Sequence, residues 1–219
     1  MSLSTDETAL AAPRKPASRR TQAARRRDSD RRMLRAAARL FAERGVSGTS
    51  LADVGLSAGY SRGLPVERFG SKLGLIIALL DAMDAWFQAH IGRVLKDATG
   101  MKAVRLRMAA HLASVDGDII ATAALYSIYT ESLFAMSELQ PHVVAVTGRW
   151  RDGLAANLRE ARRAGEIGRR VARRVDCDAE ARFLLSAMRG LVIQYLLDRS
   201  ASDLARSKAM LLQRLETLK

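Results

Sequence analysis

The chain contains one cysteine, Cys177, among 219 residues, so no intramolecular disulfide framework can form and a reducing compartment is the expected setting. Histidine is almost as scarce. His90, His111 and His142 show neither an HxxxH spacing nor a neighbouring cysteine, so no metal site is expected. Aromatic residues are 5% of the chain, and only four prolines interrupt it, Pro13, Pro16, Pro65 and Pro141. With so few breakers and apolar residues recurring at helical spacing, the pattern predicts helices and leaves no evident place for strands. The longest apolar runs, residues 73–80 and 184–197, fall short of the roughly 18 residues that span a bilayer, and the second contains Arg189 and Gln194. The first ten residues carry Asp6 and Glu7 and the next twenty are arginine-rich, which argues against a secretory signal and for a cytoplasmic location without membrane attachment. No nucleophile paired with a base, phosphate-binding loop or carboxylate pair stands above background, so neither catalysis nor a cofactor is expected.

Positive charge is what the chain has in excess. Thirty-six Lys and Arg against 23 Asp and Glu give +13 and a pI near 10.9, which points to a polyanion such as nucleic acid or a membrane surface. The excess is uneven. Residues 1–80 hold 15 basic and 7 acidic side chains, net +8, and residues 81–219 hold 21 and 16, net +5. The segment PRKPASRRTQAARRRDSDRR concentrates it in a context that opposes a packed core. Residues 1–28 are therefore expected to form a disordered basic arm. It is either a solubilising tail or a set of arginines reaching phosphates or an A·T-rich minor groove beside a bound domain.

Nine helices are predicted. The first spans residues 30–44, with Leu34, Ala37, Ala38 and Phe41 on one stripe and Gly45 closing it. A short second helix, capped by Thr49 or Ser50, ends near Ser57. The turn Ala58-Gly59-Tyr60 follows, in which Gly59 can take positive φ, and Ser61 can cap a third helix over residues 62–69. Pro65 would be the fourth residue of that helix, where its missing N–H removes a bond to the cap, so a distorted first turn is expected. A long helix over residues 72–98, capped by Ser71, precedes helices at 101–115, 118–137, 139–164, 178–198 and 202–218. Helix, glycine turn and helix over residues 50–69 have the length of a helix-turn-helix unit. Arg62, Gly63, Val66, Glu67 and Arg68 are candidates for its groove-facing side, and Leu64 and Phe69 for its inward anchors; Val66 suits either packing or a thymine methyl.

The stretch LRAAARLFAERGVSGTSLADVGLSAGYSRGLPVERFGSKLGLIIALL resembles the amino-terminal domain of the TetR (tetracycline repressor) family of transcriptional regulators. AARLFAERG, the Thr49–Ser50 pair, AGYSRG across the turn and FGSK before the long helix carry the resemblance, together with GLVIQYLLD near the end of the eighth helix, similar to the family's dimerisation region. The resemblance implies an all-α protein with a helix-turn-helix domain over residues 29–80 and a helical ligand-binding and dimerisation domain over residues 81–219. It implies DNA contacts by Thr49, Arg62, Gly63 and Lys72, with Thr49 and Lys72 near phosphates and Arg62 and Gly63 at the tip of the recognition helix; Ser50, Tyr60, Ser61, Val66, Glu67 and Arg68 complete the expected DNA-binding set. Pro65, Val66 and Glu67 depart from the pattern, which commonly has an aliphatic residue, then a backbone-contacting Tyr, then His or Tyr before Phe. Arg68 is the expected substitute for that phosphate contact, and Glu67 could accept a hydrogen bond from cytosine N4.

In the second domain Met83, Trp86, Phe87, His90, Met108, His111, Tyr126, Tyr129, Phe134 and Trp150 are the large or polarizable side chains that could line a ligand pocket, although helical spacing also suits each to the core. The last two helices are apolar over more than one stripe. Leu184, Met188, Leu191, Tyr195, Leu204, Leu211 and Leu215 are the candidates for a two-fold, four-helix dimer interface, against the alternative of packing within the chain. The expected function is that of a ligand-responsive homodimeric repressor released from a palindromic DNA operator by a small molecule. The alternative is a sequence-tolerant architectural DNA-binding protein whose second domain only dimerises.

Overall fold

The apolar periodicity resolves into nine α-helices, and no strand, among the residues described by a computed structural model, 21–168, 175–198 and 204–218. They are α1 (Gln22–Arg44), α2 (Leu51–Ser57), α3 (Leu64–Phe69), α4 (Lys72–Leu95), α5 (Gly100–Gly117), α6 (Ile119–Leu133), α7 (Gln140–Arg163), α8 (Cys177–Leu197) and α9 (Leu204–Arg214). Short 3-10 turns, Ser137–Leu139 and Leu215–Leu218, precede α7 and follow α9. Thus α6 ends well before residue 137.

Two boundaries differ from the sequence expectation for identifiable reasons. Helix α1 starts eight residues early, at Gln22, because Thr21 Oγ1 accepts the Ala24 N–H (3.2 Å) and the following Ala and Arg residues are strong helix formers. Residues 22–28 are therefore helical rather than part of a disordered arm; residues 1–20 of that arm lie outside the described residues. Helix α3 starts two residues late, with Gly63 at its cap position. This places Pro65 in the first turn, where an N–H has no intrahelical acceptor, and the first backbone bond, Glu67 N–H to Gly63 O (3.1 Å), forms normally. The expected distortion does not arise.

Two large hydrophobic cores and two smaller clusters organise the helices. The first joins Met33, Ala37, Leu40 and Phe41 of α1 to Val54 of α2 and to Leu75, Ile76, Leu79 and Leu80 of α4, and it takes in Ala124 and Ile128 of α6. The amino-terminal head thus shares its core with the second domain. Polar bonds reinforce the joint: the Val46 N–H donates to Ser127 Oγ (3.1 Å) and the Ser47 N–H to Glu131 Oε1 (2.9 Å). The second core is built by Val104, Met108 and Leu112 of α5, Leu154 and Leu158 of α7 and Leu184, Leu185 and Met188 of α8, with Leu211 and Leu215 closing it. Helix α4 is long and apolar enough to cross a membrane by length and composition, but Leu75, Ile76, Leu79, Leu80, Phe87 and Ile91 are all buried against its neighbours.

This packing turns four of the seven expected dimer residues inward. Leu184, Met188, Leu211 and Leu215 are buried within the chain. Leu191 packs partly buried against the same core, and Tyr195 against the pair Val115 and Val192; the side chain of Leu204 is outside the described residues. The apolar side chains that α8 and α9 leave in water are different ones: Phe183, Ile193, Leu197 and Met210.

Candidate functional site

Local sequence sets the head. Ser50 and Asp53 form a reciprocal capping box at the start of α2: the Asp53 N–H donates to Ser50 Oγ (3.1 Å) and the Ser50 N–H to Asp53 Oδ2 (2.9 Å). Hydrogen bonds from Ser50, side chain first and backbone second, hold the Asp53 carboxyl below its ordinary value. In the turn Gly59 adopts φ +80°, and α2 meets α3 so closely at Gly55 that a methyl group there would collide with the Ser61 carbonyl and the Pro65 ring. The pair Gly55 and Pro65 therefore fixes the angle at which α3 leaves the turn.

Around that turn Ser61, Arg62, Gly63, Val66 and Glu67 are exposed or nearly so, Tyr60 is half-buried against the core, and Ser50 is exposed but engaged as a cap. Lys72, at the start of α4, reaches the Ser47 carbonyl (3.4 Å). Two expected DNA contacts are spoken for inside the protein. Thr49 is 2% exposed and its hydroxyl donates to the Gly45 carbonyl (2.9 Å), so it ties α1 to α2 and no phosphate can reach it. Arg68 donates from Nε and Nη2 to the two carboxylate oxygens of Asp30 (2.7 and 2.5 Å), with its side chain only 9% exposed. Its charge clamps α3 onto α1. That hydrogen bond to Asp30 raises the guanidinium above its ordinary value.

The second domain brings five of the ten pocket candidates together. Phe87, His111 and Trp150 meet tilted or edge-on with ring centroids 4.7 to 5.4 Å apart. Tyr126 and Tyr129 pair at 5.7 Å. Beside them the buried Asp84 accepts from Trp150 Nε1 (2.8 Å), Arg149 Nε (2.7 Å) and Gln88 Nε2 (3.2 Å). The Arg189 guanidinium of α8 lies 5.3 Å above the Tyr129 ring, and Tyr126 O–H donates to the Arg189 carbonyl (3.3 Å). Burial, with the Arg189 charge in support, pushes the His111 imidazole down to about 4, so it is neutral near pH 7. Burial raises both phenols, Tyr129 to about 12.

The remaining candidates are elsewhere. Met108 is sealed in the α5–α7–α8 core and Met83 packs on the head core. Trp86 is 54% exposed and stacked on His90 (5.2 Å), and Phe134 is 78% exposed, so these belong to the surface. Among the clefts on the described surface are two lined by other residues. One of about 490 Å³ is lined by Arg32, Arg35, Arg39 and Asp118, and one of about 640 Å³ by Val94, Lys102 and Glu166. Neither is lined by a pocket candidate. Among the described residues no group of three or more His, Cys, Asp and Glu side chains is placed to hold a metal ion.

Residues 33–79 match the model of bacterial regulatory proteins of the tetR family. The amino-terminal domain is a TetR-family domain. Over most of its length the chain shares its fold with solved transcriptional regulators: a TetR-family regulator from Agrobacterium tumefaciens (17% identity, TM-score 0.74, 89% of this chain and 99% of that one), FadR from Bacillus subtilis in complex with stearoyl-CoA (18%, 0.70, 84% and 96%), and the TetR-family regulator PfmR from Thermus thermophilus (23%, 0.68, 86% and 99%). No curated protein sequence matches the chain. Within this TetR-type fold, the residues that sequence reasoning passes over are Asp30, Asp84, Arg149 and Arg189. Arg189 alone leaves a signal, as a charge inside an otherwise apolar run.

Proposed function

We propose that the chain is a homodimeric, ligand-responsive transcriptional repressor. Residues 29–80 read a palindromic operator, and residues 81–219 dimerise and take up a small molecule that releases the DNA. The joint between α1 and α6 carries this reading. Because the head core includes Ala124 and Ile128 and the loop after α1 is bonded to Ser127 and Glu131, a displacement of α6 cannot leave the head where it was. A ligand that binds one arrangement better than the other therefore shifts the spacing of two heads.

At the operator, the exposed end of α3 offers Arg62 to guanine O6 and N7, Glu67 to cytosine N4 and Val66 to a thymine methyl. Tyr60, Ser61, Gly63, Ser50 and Lys72 set register by contacts to the DNA backbone, and the basic residues of the amino-terminal sequence add attraction for the phosphates. Phe183, Gly190, Ile193 and Leu197 follow one another on α8 at helical spacing and, with Met210 of α9, supply the unpartnered apolar face that a two-fold four-helix interface requires. That a similar fold is known with stearoyl-CoA supports an organic ligand in the second domain. The reading places the protein with DNA in the cytoplasm, without catalytic chemistry or a membrane partner.

Selection of bound fragments from the source genome, followed by footprinting, tests it. Two symmetric half-sites are expected, their centres separated by roughly 34 to 36 Å or a multiple, with affinity falling on the order of a thousandfold between about 50 and 200 mM salt. Equal affinity for selected and random duplex would replace the repressor by a sequence-tolerant architectural protein. Phe183→Asp combined with Ile193→Asp should yield monomers in sedimentation.

A further inference from the structure

Three buried polar atoms lack a hydrogen-bond partner among the described residues, and all three sit together: Tyr129 Oη and the Nε and Nη2 of Arg189. Burying the Nε and Nη2 edge of a guanidinium without an acid is costly, because those donors have left water and face only the neighbouring Tyr129 hydroxyl and ring. Other arginines drawn inward have been provided for: Arg68 has Asp30, and Arg107 donates from Nε to the Asn157 amide oxygen (3.2 Å). Asp84 is saturated by Arg149, Trp150 and Gln88, so it is not available to Arg189. The Tyr129 ring face compensates only part of the charge.

We infer that the small molecule taken up by the second domain is an organic carboxylate with a single negative charge and an apolar body, anchored by Arg189 and Tyr129. This rests on the proposal that the domain is a ligand sensor and names the class of ligand. Nε and Nη2 form the side-on edge of the guanidinium, and their two parallel N–H groups match the two oxygens of a carboxylate. The Tyr129 hydroxyl supplies a third donor. His111 is neutral, so the site holds one positive charge, and a doubly charged phosphate ester would bring a second charge with nothing to meet it. The rings of Phe87, His111 and Trp150 supply apolar surface for the body of the ligand. The clefts of about 490 and 640 Å³ are lined by other residues; a ligand seated on this anchor displaces the side chains packed around it, which is the packing change a sensor must pass to α6 through Tyr126 and Tyr129.

The experiment uses the full chain and matched acid and amide probes: benzoate with benzamide, phenylacetate with phenylacetamide, octanoate with octanamide. Binding is followed by thermal shift and tryptophan fluorescence at millimolar probe. At least one acid should bind about tenfold or more tightly than its amide. Arg189→Met should abolish that preference while unfolding no earlier than the parent, since it removes an unpaired charge. Tyr129→Phe should weaken the acid about threefold to tenfold and keep the preference. Equal binding of acid and amide, no acid binding, an acid preference surviving in R189M, or a strongly destabilised R189M would each overturn the inference. Should R189M fail to fold, that last result stands against it, and R189K, which keeps the charge without the fork, reads the preference independently. DNA retention separates the two proposals. An acid bound through Arg189 that leaves selected DNA in place would break the sensor reading and spare the anion site, whereas DNA specificity without acid binding would do the reverse.

Discussion

Thr49 and Arg68 in the head, and Tyr129 and Arg189 in the second domain, are four polar side chains drawn out of water, and they meet different ends. In the head, the Thr49 hydroxyl finds the Gly45 carbonyl and the Arg68 fork finds Asp30. In the second domain the hydroxyl and the fork have no such partner. A head that must hold one helix at a fixed angle gains from polar groups that are all satisfied, because each bond removes an alternative arrangement. If the second domain is the proposed sensor, it gains from groups that only the ligand satisfies.

The largest effect is expected at the joint between head and second domain. Phe41 is 1% exposed in the core shared by α1, α4 and α6, so Phe41→Ala should cost about 3–5 kcal/mol in denaturant unfolding. Because that core spans both parts, head and second domain should unfold in one transition; two separate transitions would mean that they are independent bodies. Next in size is Arg68→Ala, which strands the Asp30 carboxylate and should cost about 1–3 kcal/mol. The contrast with Arg189→Met is the sharpest form of the comparison, since equal losses in the two would show that both arginines are structural.

Titration offers a third measure. His111 has its pKa lowered to about 4 from 6.5, so between those values the unfolded chain binds more protons than the folded one. Its contribution is complete above about pH 6.5 and is lost as pH falls toward about 4, on the order of 1–3 kcal/mol. A His111→Phe chain should show a flatter acid limb in thermal melts across that window. The smallest effect on stability belongs to Arg62→Ala, within about 0.5 kcal/mol for an exposed side chain, although its loss of base discrimination should reach about 1–3 kcal/mol in competition binding.

Much of the head is legible in the sequence. Ser50 and Ser71 cap α2 and α4, Gly59 takes positive φ, and α2, α3 and α4 follow in the expected order, because caps and turns are settled between residues three or four apart. Pro65 looks misplaced only if Ser61 caps α3, and Gly63 fills that position instead. Thr49 and Arg68 look like surface residues because nothing nearby in sequence reveals Arg68's partner or the burial of Thr49; Asp30 is 38 positions from Arg68. The apolar stripes of α8 are visible in the sequence, but the one containing Leu184 and Met188 turns inward and the one containing Phe183 and Ile193 outward.

Composition, periodicity and short-range capping determined that this chain is helical, that its positive charge gathers toward one end, and that a helix-turn-helix lies there. These are properties of neighbours along the chain, and a few turns of backbone decide them. Which arginine would be neutralised and which left waiting, which face of α8 would reach water, and that head and second domain would share one core were decided only by tertiary structure. Each depends on partners tens of residues away, brought into contact by packing that no local pattern encodes.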